Sequence, residues 1–297
     1  VSEEQAIGVI GGSGLYEMDG LESIERVEVE TPFGDPSDAF ITGRLAGQPM
    51  VFLPRHGVGH RLLPHEINFR ANIWGMKKLG VARIVSVSAV GSMKEDIAPG
   101  QLVFVDQFID RTRQRATTFF GDGLVVHVPM ADPVSPPLRD ALVRAAGAAA
   151  VPHRDGGTYL CIEGPQFSTR GESFLYRSWG VDVIGMTNMP EAKLAREAEI
   201  AYSTIALATD YDCWHDEEES VSVDAVLEIL RKNVEKAKSV IDTYVRGPRE
   251  PLCSMSSTAV RTSMLTPPER IPEHRRRTLE PILAPILSKG RGAPGSA

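Results

Sequence analysis

Two carboxylates stand where a buried run of chain ends. In IALATDYDCWH (205–215), Asp210 and Asp212 follow a nearly unbroken apolar stretch. Residues two apart in extended chain share a face, so both carboxylates point the same way. Such a pair is costly unless it binds donors or shares a proton. It could therefore protonate a leaving group, although a turn or a helix cap would use the same residues. A second cluster lies in FLPRHGVGHRLLPHE (52–66), where Arg55 and His56 close a short apolar run ahead of Gly57, Gly59 and His60. A guanidinium offers a fixed charge in a planar fork suited to phosphate, and an imidazole adds a donor. A solvated basic turn is the competing reading.

Three further segments bear on an anion or a flat ring. IGVIGGSGLY (7–16) runs from a strand into a glycine-rich turn, where backbone N–H groups can approach an anion and Ser13 can add a hydroxyl. It lacks the third glycine of a dinucleotide fingerprint, the lysine of a phosphate loop and the final glycine of an esterase elbow. SVSAVGSM (86–93) puts Ser88 and Ser92 at the exit of a buried strand, the sheet edge where ligands bind. CIEGPQFSTRGES (161–173) sets Glu163 near Phe167. An acid beside an aromatic suits a polar ring; a core salt bridge and a core aromatic fit equally well.

The elements that must carry these residues alternate. Strand-like runs occupy 6–10, 50–53, 83–90, 102–108, 158–162, 181–186 and 202–208. Helical patterns occupy 65–79, 136–149, 190–200 and 222–246, and Thr169 with Glu172 has capping-box spacing. This alternation predicts an α/β fold with a mixed sheet. The 297 residues are 42% hydrophobic and 24% charged, as expected of a globular chain with a sizeable core. We expect one domain over 1–247, a docking segment of the same domain over 248–266 and a flexible Pro- and Arg-rich tail over 267–297.

The composition also excludes partners. A net charge of -7 attracts neither nucleic acid nor an anionic membrane. No apolar run approaches the ~18 residues of a membrane span, and the acidic start lacks the basic region of a signal peptide. Three cysteines, Cys161, Cys213 and Cys253, make neither a disulfide framework nor a four-cysteine zinc site. A reducing, cytoplasmic setting is expected.

Taken together, the segments resemble the 5′-methylthioadenosine phosphorylase branch of the trimeric purine nucleoside phosphorylase family. IGVIGGSGLY, TPFGDPSD, RHGVGH, ANIWGMKKLG, SAVGSM, VDQFIDRT, EGPQFSTRGESF, GMTNMPEAKLAREA and ATDYDCWH occur in the family's order. The resemblance implies a single α/β domain around a mixed, partly barrelled sheet, a homotrimer, no metal and no organic cofactor, with inorganic phosphate as co-substrate. It implies phosphate held by Ser13, Arg55, His56, Ser88, Ala89 through its N–H, and Thr187. Met186 would lie under the ribose, with Phe167 and the backbone of Ser168 framing the base. Val223, Val226 and His127, with Val260 from a neighbouring subunit, would line the 5′ pocket. Asp210 would protonate the purine and Asp212 would accept from its amino group. Gln166 and Asn188-Met189 depart from the family's common residues. The alternatives are a 6-oxopurine or broad-specificity phosphorylase, a nucleosidase using water, and a non-catalytic nucleoside-binding protein.

Overall fold

The computed structural model describes residues 5–215 and 223–288. The chain enters as β1 (Ala6–Gly11), buried along its whole length. A turn of 3-10 helix, Ser13–Tyr16, follows. Then β2 (Leu21–Val27), β3 (Phe40–Leu45) and β4 (Gln48–Pro54) form an antiparallel meander that lays β4 parallel to β1. The helix α1 (Phe69–Lys78) starts at Asn68, whose side chain accepts from the Ala71 N–H. There follow β5 (Val81–Ser92), β6 (Leu102–Phe104), β7 (Gln107–Asp110), α2 (Pro136–Ala148), β8 (His153–Asp155) and β9 (Thr158–Cys161). Next come α3 (Arg170–Ser178), β10 (Val183–Gly185), α4 (Asn188–Glu197), β11 (Ala201–Tyr211) and α5 (Val223–Arg246). Short helices α6 (Ser254–Ser257), α7 (Ala259–Ser263), α8 (Glu273–Thr278) and α9 (Glu280–Ser288) close the described chain.

The eleven strands make one mixed sheet in the order β2-β3-β4-β1-β5-β10-β9-β7, with β11, β6 and β8 branching from β5. It does not close into a barrel. The branch point matters most. On one edge β5 pairs with β1 as far as Ser86, then with β10 from Gly91 onward. On the other edge β11 runs beside it through both halves. Residues 87–90 therefore have no strand partner on the first edge. Ala89 is the one exposed residue of β5, an opening in an otherwise buried strand.

Two apolar layers enclose the sheet. Leu138 and Leu142 of α2 pack with Ala237, Val240, Ile241 and Tyr244 of α5 on one face. On the other, Ile73 and Met76 of α1 and Leu194 of α4 pack with Leu279, Ile282, Leu283 and Ile286. These last four correct the expectation of a flexible tail from 267. Through residue 288 the segment is folded against α1, and the Trp74 indole donates to the Thr278 carbonyl at 3.0 Å. Its prolines and arginines hide a stripe spaced for one helical face. The expected strand over 102–108 is also two strands, broken where the Asp106 N–H turns to the Gly157 carbonyl. Strand β2 carries no period in its sequence because five of its seven residues are exposed.

Cutting the chain after Arg270 should therefore destabilise it, not leave it intact. Leu283→Ala alone is expected to cost about 2–5 kcal/mol, read as a lower denaturation midpoint. The tail also meets a titrating group. Glu197 accepts from Thr118 Oγ1 at 2.8 Å and from the Phe119 N–H at 2.7 Å, while Arg275 of α8 donates to the Phe119 carbonyl. Burial pushes the Glu197 carboxyl up to about 7. A carboxyl raised on folding contributes stability in full below its ordinary value of 4.5 and loses it as pH rises through about 7. Melting between about pH 4.5 and about pH 7 should show a decline of up to about 3 kcal/mol, and Glu197→Gln should abolish it.

Candidate active site

Where β1 and β5 part, a single arginine fills the gap. Arg55 follows β4, with its own N–H on the Gly11 carbonyl at 2.9 Å. Its guanidinium donates to the Ile10 carbonyl at 3.2 Å, the Val87 carbonyl at 3.0 Å and Ser86 Oγ at 2.6 Å. It also grips both oxygens of Glu191, at 2.8 and 3.0 Å. Burial would weaken the charge of Arg55, but the Glu191 carboxylate outweighs it and raises the guanidinium's pKa. Ser86 Oγ and the Tyr202 hydroxyl donate to Glu191 Oε1 at 2.7 and 2.9 Å. Asn188 Nδ2 lies within 2.5–3.1 Å of Ser86, Tyr202 and Thr204 oxygens. Arg55, Glu191, Ser86, Tyr202, Asn188 and Thr204 are each at most 2% exposed.

Arg55 thus lies beneath the site as its frame. Expected to hold phosphate, Arg55 has its fork engaged here by Glu191 and backbone carbonyls. The departure at Asn188 acquires a reason too, since its amide joins three hydroxyl groups on β5 and β11.

Above this frame the opening is lined by small donors. Ser88 Oγ lies 3.0 Å from Thr187 Oγ1 and 3.1 Å from the Tyr159 hydroxyl, and Ala89 is exposed beside it. A Cβ added to Gly12 or Gly14 would meet nothing described within 4 Å, and neither has positive φ. Backbone strain does not call for these glycines, so the turn keeps room for something other than the chain. The Ser13 side chain lies outside the described residues. His56 Nδ1 is 2.9 Å from the Leu62 carbonyl, and its ring stacks on His60 with centroids 4.3 Å apart. Burial pushes the His56 imidazole down to about 4; the Leu62 bond offsets this in part and the Arg55 charge adds to it.

The carboxylates close the other end. A bulge between Ala208 and Asp210 sets Asp210 opposite Gly91. A Cβ on Gly91 would lie 3.6 Å from Asp210 Oδ2 and 3.5 Å from Asp212 Cβ, so both acids overhang this glycine. Thr209 Oγ1 donates to Asp210 Oδ1 at 2.5 Å, and Ser173 Oγ donates to Asp212 Oδ2. Ser173 is delivered by α3, whose capping box of Thr169 and Glu172 is formed. Cys213 Sγ donates to the Ser168 carbonyl at 3.5 Å. Phe167, just before α3, is 85% exposed.

Glu163 is resolved in favour of the salt bridge. It accepts from Arg115 Nε at 2.8 Å and from the N–H groups of Arg113 and Gln114. Arg115 also donates to the carbonyls of Met186 and Met189, both at 2.7 Å, and so fixes the stretch holding Met186 and Thr187. Val260 is corrected. It is fully buried in the chain's own core, with its N–H on Glu199 Oε1, and is not presented to a neighbour. His127 is exposed, its N–H on the Ser263 carbonyl, so the 127 strip and α7 do meet. The side chains of Val223 and Val226 lie outside the described residues. Glu191, Tyr202, Arg115 and Ser173 were missed. The available signal for the first was a carboxylate directly after Pro190, at the head of the helical pattern over 190–200.

Comparison with known proteins places this geometry. The family model of the phosphorylase superfamily matches residues 6–246. The S-methyl-5′-thioadenosine phosphorylase of Geobacter sulfurreducens is 61% identical over 94% of this chain and 98% of its own. That of Thermosynechococcus vestitus is 54% identical over 95% and 99%. Among solved structures, a methylthioadenosine phosphorylase from an Antarctic soil metagenomic library superposes with a TM-score of 0.88 at 49% identity, covering 95% of this chain and all of the other. A variant adenosine/methylthioadenosine phosphorylase from Schistosoma mansoni, in complex with methylthioadenosine, gives 0.79 at 36% identity over 88% and 99%.

If Glu191 holds the frame, Glu191→Ala should cost about 3–5 kcal/mol, because it strands a buried guanidinium. Glu191→Gln keeps the shape and should cost less, which paired urea titrations would show.

Proposed function

The chain belongs to the phosphorylase superfamily, and from that premise we propose that it cleaves 5′-methylthioadenosine with phosphate, giving adenine and 5-methylthioribose 1-phosphate. High identity over nearly the whole length of curated relatives supports the activity. The single structural observation that carries it is the sharing of β5. Small donors gather at Ser88, and two carboxylates overhang Gly91, three residues on. That is ~10 Å of extended chain, the scale of a nucleoside.

In this reading phosphate sits on the glycine turn against Ser13, His56, Ser88, the Ala89 N–H and Thr187, with Arg55 bracing the seat from beneath. The sugar lies over Met186, and the base lies between Phe167, Ser168 and the two acids. The glycosidic bond breaks toward a cationic sugar, so an anion held at C1′ stabilises the charge and then attacks. Adenine leaves poorly as an anion. Asp210 delivers a proton to N7, which calls for a carboxylic acid kept protonated in a dry pocket. Asp212, oriented by Ser173, accepts from the exocyclic amino group and so favours a 6-aminopurine over a 6-oxopurine.

The reading extends to assembly and setting: a cytoplasmic homotrimer in purine and methionine salvage, with no cofactor beyond phosphate. An apolar strip of Phe167, Phe174, Leu175 and Trp179 at the base end supports burial against a second copy. Among the described residues, no helix is long and apolar enough to cross a membrane.

Adenine release should require phosphate, and Asp210→Asn should lower it roughly 10²–10⁴-fold. Release at an unchanged rate without phosphate would make the protein a hydrolase instead.

A further inference from the structure

His56 has one ring nitrogen engaged and the other open. Its Nδ1 lies 2.9 Å from the Leu62 carbonyl, and a carbonyl can only accept, so Nδ1 carries the hydrogen. In the neutral ring, Nε2 then presents a lone pair. No hydrogen bond from a described residue reaches it.

Burial keeps the ring neutral, holding the imidazole at about 4. Arg55, next to it in the chain, and His60, stacked on it at 4.3 Å, add to this, while Glu191 opposes it from its pairing with Arg55. In the same turn Asp38 is engaged by the Val58 N–H and faces Arg61 at 3.5 Å. An anion arriving here meets hydroxyl and amide donors on most sides, and at His56 an acceptor.

We propose that His56 makes the site selective for oxyanions that carry a hydrogen: Nε2 accepts the P–O–H hydrogen of hydrogenphosphate and disfavours sulfate, which has none to give. The unprotonated phosphate oxygens are left to the donors and to attack on the sugar. This rests on the reading of the glycine turn and Ser88 as the phosphate seat. Sulfate can then bind well only when the ring takes up a proton, so its affinity should fall with rising pH. Hydrogenphosphate brings its own proton and should show no such dependence.

The test is competition against phosphate in the adenine-release assay between about pH 5.5 and about pH 8. The inhibition constant of sulfate should rise about tenfold per pH unit. The Michaelis constant for phosphate, counted as its dianion, should stay flat, and arsenate should follow phosphate. Calorimetry at about pH 8, where phosphate is already mostly the dianion, in buffers of different ionisation enthalpy should find about one proton taken up with sulfate and close to none with phosphate. His56→Gln and His56→Asn supply an N–H in place of the lone pair, so the sulfate slope should vanish and the preference for phosphate should shrink. Sulfate that competes with no pH slope, or phosphate that takes up a proton, would overturn the proposal while leaving the seat in place. Sulfate that does not compete, with phosphate saturation unchanged in both variants, would show that the anion binds elsewhere and end both readings.

Discussion

A sheet that forks leaves backbone carbonyls pointing into its own interior, and this protein answers with one buried arginine. Where β1 and β5 separate, Ile10 and Val87 each present a carbonyl that no strand can pair. An unpaired buried carbonyl costs about 1–3 kcal/mol. A lysine could not serve here, because its point charge lacks a planar fork reaching two strands and a carboxylate together. Arginine does so, but brings a charge that must be matched without water. Glu191 matches it, and Ser86 and Tyr202 donate to Glu191 while Asn188 donates to Ser86. Several kcal/mol of desolvation are offset because the pairing is bidentate and reinforced by these hydroxyls.

That solution shapes the chemistry above it. With Arg55 already neutralised, the proposed anion seat would be built chiefly from uncharged donors: hydroxyls, a strand N–H and a glycine turn. The seat is open because the fork deprives residues 87–90 of a strand partner, so the same defect that demands Arg55 also exposes Ala89. The frame and the binding site are two consequences of one topological choice.

The sequence made some of this legible and hid the rest for physical reasons. Asp210 and Asp212 could be read because strand periodicity is local: Asp210 lies near the end of β11 and Asp212 one residue past it. Arg55 looked like a ligand because only its neighbours were visible. The carboxylate that engages it lies 136 residues further on, and a charge's partner is a tertiary fact. Glu163 was ambiguous for the same reason, its answer being Arg115, 48 residues back. The tail was misjudged by averaging. Its Pro and Arg content suggested mobility, yet Leu279, Ile282, Leu283 and Ile286 repeat at helical spacing and find α1. Patterning carried more information there than composition.

The two ends of the site are held in different ways, and this bears on how they can change. The anion end rests on a network at most 2% exposed, where removing any partner strands another in the core. At the base end, Asp212 is tied by Ser173, a half-buried acid on a helix-borne hydroxyl, and Phe167 stands 85% exposed beside it. Trp214 steadies this corner by donating to the Ser92 carbonyl at 2.8 Å, under the Arg177 guanidinium 3.3 Å from its ring centroid. Substitutions at exposed Phe167 should therefore leave the core intact, since surface changes away from buried networks usually cost under about 0.5 kcal/mol. On the proposed reading, the choice of purine could change at exposed contacts while the grip on the anion stays fixed by the packing that makes the fold.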